Sequence, residues 1–228
     1  MNFLSHFYFD RDNRDPERVI GVVLPDLVKN AKKEWSLRPE KQEAFYDDEN
    51  VSNIFWGWKR HIAVDNYFHS SDFFCQHTQQ IKTLISPILE NSPARPSFVA
   101  HIALELMLDG LLLTESKVEA ENFYSILAEV DREALECFLE LNSVFDTDKF
   151  FKFLDEFIEA SYLDSYREAT NIMYALNRIC MRIWEEPFSE TQKLQLTAVL
   201  IDYQQKLQRD FMLIFEEIES ILNNDISQ

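Results

Sequence analysis

Glycine is the scarcest structural signal in this chain: only three occur among 228 residues, against an average usage of roughly 7%. Hairpin turns, barrel corners and phosphate-cradling loops use glycine where φ must be positive. A chain almost without it is confined to helices joined by short turns. Neither GxGxxG nor GxxxxGK[ST] is present, which removes the Rossmann and P-loop nucleotide sites. A hydrophobic share of 46% is ample for a buried core. The expected fold is all-α, a single-domain multi-helix bundle over residues 1–228.

The helical reading has clear punctuation. Pro16 falls at a first helical position and opens an apolar run, Val19 to Val28, that Pro25 should kink near Asp26. A charged stretch, Lys29 to Asn50, reads as a loop with a short helix. Ile54–Cys75 and Ile81–Leu89 read as helices, the second ending at Asn91-Ser92-Pro93. Phe98–Leu113 is apolar on nearly every face, as a central buried helix is. Further helices are expected at about 117–129, 131–142, 147–163 and 166–184. Past Pro187, Ser189 with Gln192 predicts a capping box for one long last helix to about Leu222. Trp35, Trp56, Trp58 and Trp184 read as core.

The net charge of −18 argues against nucleic acid, whose binders present a basic face. It is spread unevenly: 12 basic and 17 acidic residues up to Glu115, then 10 and 23. The nearly balanced first half also holds all five histidines. Residues 1–115 are therefore expected to carry the site, and 116–228 to be an acidic helical remainder. Cys75, Cys137 and Cys180 form no CxxC, which fits a reducing compartment better than a disulfide framework or zinc knuckle. Met1 to Asp10 lacks a basic n-region, and no segment reaches roughly 18 uninterrupted apolar residues. A cytoplasmic protein with no membrane partner is expected; oligomeric state stays open.

Two stripes carry ligand-capable residues at i, i+4 and i+8: His61, Asp65, His69, and His101, Glu105, Asp109. Residues four apart share a helix face and drift by about 40° per step. Ionised carboxylates in so apolar a helix need a neutralising partner, and no Lys or Arg lies between His101 and Glu115. A divalent cation suits mixed imidazole and carboxylate donors; a purely structural polar network is the alternative. Eight positions cover about 12 Å, so one ion can take at most two ligands from either helix. His77 reads as a surface residue. ExxH, HExxH, GxSxG and a His-Asp dipeptide are all missing, which disfavours di-iron bundles, zincins and serine hydrolases.

Met1-Asn2-Phe3-Leu4-Ser5-His6, Leu24-Pro25-Asp26-Leu27-Val28-Lys29, His61-Ile62-Ala63-Val64-Asp65 and Leu104-Glu105-Leu106-Met107-Leu108-Asp109 together resemble the acyl carrier protein phosphodiesterase family, over roughly residues 1–115. The resemblance implies an HD-domain-like helical fold, a divalent ion (manganese first; magnesium, iron or zinc as alternatives) and release of 4′-phosphopantetheine from acyl carrier protein. Carried over by position, His6, Asp26, His61, Asp65 and Asp109 fall on the family's polar positions, with Glu105 in place of an Asp. Ile62 stands where the family has Arg, Phe68-His69 where it has Thr-Asp, and Gly110 where it has His.

Taken together, Asp26, His61, Asp65, His101, Glu105 and Asp109 are the expected metal ligands. His6 and His69 are the expected proton carriers, and Lys29 and Arg60 the cations for developing phosphoryl charge. Acyl carrier proteins are acidic, so Lys29, Lys32, Lys33, Lys59 and Arg60 would have to form a basic face; otherwise a smaller phosphoester is the substrate. The rival expectation is a helical binding protein that kept the scaffold and lost the chemistry.

Overall fold

The computed structural model describes residues 1–43 and 46–225. Ala44 and Phe45, inside the predicted Lys29–Asn50 loop, lie outside them. The fold is all-α, with no strand among the described residues. It divides into two compact, interleaved units: residues 1–5, 66–117 and 165–228 in the first, 6–65 and 118–164 in the second. Residues beyond Lys117 contribute to both units.

In the second unit α2 (Pro16–Ala31) starts as its sequence dictates. Pro16 occupies the first turn, and the Asp15 carboxylate accepts the Arg18 amide at 3.0 Å. Pro25 does not end this helix, which runs on to Ala31; it removes only the amide that the Gly21 carbonyl would have received. α2 packs against α6 (Ala120–Ala128) and α8 (Thr147–Ala160), and α8 against α7 (Arg132–Leu141).

α2 also meets α3 (Glu49–Ser70) at an unusually close crossing. A Cβ on Gly21 would lie 2.2 Å from the Ile54 carbonyl oxygen, and one on Gly57 2.2 Å from that of Arg18. Backbone touches backbone, which only glycine on both helices permits.

In the first unit α5 (Pro96–Thr114) is the core. Val99, Ala100 and every residue from Ala103 to Leu113 are buried, between α4 (Asp72–Ile85), α9 (Ala169–Cys180) and α10 (Glu190–Leu207). By length and composition α5 would cross a bilayer; here its apolar faces are satisfied by neighbouring helices instead.

Several expected elements are shorter. α8 stops at Ala160, where Ser161 turns left-handed at φ 44° and a 3-10 segment follows over Tyr162–Arg167. α9 begins at Ala169 and ends at Cys180. The long final helix is two: α10, opened by the Ser189–Gln192 capping box, and α11 (Met212–Asp225). Trp56 is not core but 52% exposed, with Lys59 and Arg18 cations over its ring.

Replacing Gly57 by Ala is expected to destabilise the protein by about 3 kcal/mol, the upper end for overpacking, because backbone rather than a side chain must yield. A urea unfolding midpoint indistinguishable from wild type would contradict this.

Candidate functional site

Of the first stripe, His69 joins residues of the second, His101 and Glu105. The stripes feed two separate trios of ligand-capable atoms, each lying within 4.8 Å of one another. The first is His6, His61 and Asp65; the second is His69, His101 and Glu105. No trio takes three residues from one helix, consistent with the roughly 12 Å that each stripe spans.

In the first trio α3 supplies His61 and Asp65, one turn apart, and α1 (Phe3–Tyr8) supplies His6. The His61 Nδ1–H donates to the Val22 carbonyl at 2.8 Å, a bond made possible by the Gly21–Gly57 crossing. With Nδ1 so occupied, Nε2 keeps its lone pair and faces Asp65 Oδ2 at 3.7 Å. Burial pushes the His61 pKa well below its ordinary value, so the ring is neutral, as a ligand must be. The fully buried His6 stacks on it, ring centroids 3.7 Å apart, and its Nε2 lies 3.2 Å from Asp65 Oδ1. Burial alone would raise Asp65, but the His6 hydrogen bond and the positive charge around it together outweigh burial and hold the carboxyl well below the usual range. The side chain of Asp65 is 31% exposed, which opens the trio to solvent. Two neutral-capable imidazole nitrogens and an ionised carboxylate fit a first-row divalent cation.

The second trio is described by three short distances. His101 Nε2 is 2.9 Å and His69 Nε2 3.3 Å from Glu105 Oε1, and the two nitrogens are 3.2 Å apart. The Met1 nitrogen reaches the same oxygen at 3.1 Å. Burial would raise Glu105, but the Met1 amino group and His101 overcome it and keep the carboxyl ionised.

The remaining expected residues sit elsewhere. Asp109, one turn past Glu105, belongs to neither trio. Its Oδ2 accepts from Asn2 Nδ2 at 2.8 Å and the Leu4 amide at 3.2 Å, and its Oδ1 accepts from the Ser5 amide at 2.8 Å and hydroxyl at 2.6 Å. It caps the first turn of α1. Asp26 is half-buried on α2 and belongs to neither trio. The exposed Lys29 donates to the Trp35 carbonyl at 2.6 Å. Arg60 is held by Asp10 at 3.1 Å and the Phe9 carbonyl at 3.0 Å. Lys59 pairs with Glu43 at 3.5 Å. His77, expected at the surface, is half-buried and bonded through Nδ1 to the Tyr203 hydroxyl at 2.8 Å.

Comparison with known proteins decides the kinship. The acyl carrier protein phosphodiesterase family profile matches residues 1–218. The chain belongs to that family. No curated protein and no solved structure gives a significant match. The family match runs well beyond the 1–115 segment whose motifs carry the resemblance, so α6 to α10 are part of the same inheritance.

Burial pushes the Asp109 carboxyl up to about 6 from its ordinary 3.8, against the pull of the Ser5 and Leu4 hydrogen bonds. A carboxyl raised by folding favours the folded state while protonated; that contribution is present below 3.8 and lost as pH rises through 6. The stability advantage of wild type over Asp109→Asn should therefore shrink by about 2 kcal/mol between pH 4 and pH 7. Urea melts across that range check it, and a gap that widens with pH would contradict it.

Proposed function

We propose that the protein is a metal-dependent phosphodiesterase of the HD-like helical type, acting in the cytoplasm to release 4′-phosphopantetheine from acyl carrier protein. The observation that carries this reading is the trio of His6, His61 and Asp65, set on segments where the family resemblance is strongest, in a chain whose family match extends over residues 1–218. These three would hold the divalent ion, manganese by the same resemblance. When bound, such an ion acidifies a coordinated water and neutralises phosphoryl oxygens.

The chain's own contribution is to fix protonation and orientation in advance. The Val22 carbonyl holds His61 in the tautomer whose Nε2 lone pair is free. Burial keeps that ring neutral, and Asp65 stays ionised across the physiological range. The partly exposed Asp65 leaves the solvent side open to a bulky substrate.

One observation favours the rival reading of a helical protein that binds without turnover. Both cations expected to stabilise phosphoryl charge are engaged, Arg60 with Asp10 and Lys29 with Trp35. Four of the five residues of the expected basic face are committed in this way or over aromatic rings, so a small phosphoester is a second candidate substrate. Incubation with holo-acyl carrier protein and, separately, a generic phosphodiester, with and without Mn²⁺, separates these cases. Manganese-dependent loss of the phosphopantetheine mass, reduced about 100-fold or more in Asp65→Ala, is expected. Turnover of neither substrate at any metal concentration would leave the binding-protein reading standing.

A further inference from the structure

The second trio has the edge lengths of a metal-donor set. Three atoms, His69 Nε2, His101 Nε2 and Glu105 Oε1, form a triangle with edges of 2.9, 3.2 and 3.3 Å. Donors about 2.0–2.1 Å from one ion lie about 2.9 Å apart in an octahedral face and about 3.3 Å apart in a tetrahedron. The observed edges span that interval. Without an ion, His101 Nε2, His69 Nε2 and the Met1 nitrogen all lie within 3.3 Å of the one oxygen Glu105 Oε1, with the two ring nitrogens 3.2 Å from each other.

The rings are also held in place before any ligand arrives. Phe74 stands edge-on to both, 5.0 Å from His69 at 86° and 4.9 Å from His101 at 81°. Phe74 is fixed in turn in the first turn of α4, where its amide donates to the Ser71 cap at 3.1 Å. Glu105 is anchored on the buried α5, its side chain only 11% exposed, while His69 and His101 are 33% and 37% exposed. That combination gives a fixed base with open positions toward solvent. His101 further lines an open pocket of about 530 Å³ with Arg95, Ser97, Phe98, Ile183 and Trp184. A cation at the trio would therefore be reachable from a cleft that carries a guanidinium and an aromatic wall.

We infer that His69, His101 and Glu105 form a second divalent-metal site, distinct from the His6–His61–Asp65 set, with the two-imidazole, one-carboxylate donor set that suits Zn²⁺, Fe²⁺ or Co²⁺ over Mg²⁺. The site stands on its own geometry and does not depend on the hydrolytic reading.

Titration of the metal-stripped, full-length protein with Co²⁺, followed by its visible d–d absorption, and with Zn²⁺ by equilibrium dialysis, tests it. Wild type is expected to take up two equivalents. His101→Gln, a substitution at a partly exposed position, should lose one of them or weaken it by roughly 100-fold. His61→Gln should lose the other, and circular dichroism should show both variants helical. Glu105→Gln should reproduce the His101→Gln spectrum. An unchanged Co²⁺ spectrum and stoichiometry in His101→Gln would overturn the inference, whatever happens in His61→Gln. Loss of all binding in His61→Gln would overturn it as well. If His101→Gln loses its equivalent but no phosphodiester is turned over, the second site stands and the hydrolase reading falls.

Discussion

Two α-helices can approach until their backbones touch only where both lack a Cβ, and in the second unit α2 and α3 do so at Gly21 and Gly57. The rest of the first trio depends on that contact. Four residues beyond Gly57, His61 comes within reach of the Val22 carbonyl, the neighbour of Gly21, and gives it the Nδ1 proton. The tautomer, the orientation of the ring and the direction of its free lone pair all follow from a choice of two residues without side chains. Asp65, one turn further, then has an imidazole of known protonation to face. Two of the chain's three glycines are used here, at closeness of approach rather than at turns.

Three carboxylates sit in apolar surroundings, and their fates differ by the kind of partner they have. Asp65 and Glu105 are surrounded by nitrogens that can carry charge, and both stay ionised against the pull of burial. Asp109 has more hydrogen bonds than either, yet every donor is neutral, and its pKa rises. Dipoles satisfy a carboxylate's geometry; they offset only part of the cost of removing its charge from water. That difference leaves Asp109 holding the start of α1, and Asp65 and Glu105 as ionised carboxylates among imidazoles.

Much of the architecture was legible from residue spacing. The scarcity of glycine indicated helices, the all-round apolar Phe98–Leu113 run is the core helix α5, and Ser189 with Gln192 form the capping box. Helix ends were less legible, because Ser161 adopts a left-handed conformation without being glycine and because 208–211 breaks a helix with no proline to mark it. The ligand-capable residues were visible as two stripes, but their grouping was not. Periodicity places residues on a face and says nothing of which face of which helix meets another. It also has no means of seeing Val22, whose contribution is a main-chain carbonyl, or of bringing His6 from α1 to a helix that begins some forty residues later. Asp109 shows the same limit: it continues the α5 stripe in sequence, while its hydrogen-bond partners come from the amino-terminal residues.

The apolar character of α5 has a consequence for synthesis. α9 and α10, which cover it, are encoded well downstream, beginning at Ala169 and Glu190. At translation rates of about 5–20 residues per second, roughly 4–15 s pass between completion of Thr114 and emergence of the first residue of α10. During that interval the ribosome-bound chain carries a bilayer-like helix with α4 already made but the cover from α9 and α10 not yet complete. The nascent polypeptide should therefore be a strong client for chaperones that hold greasy segments, far more so than the finished, highly charged protein.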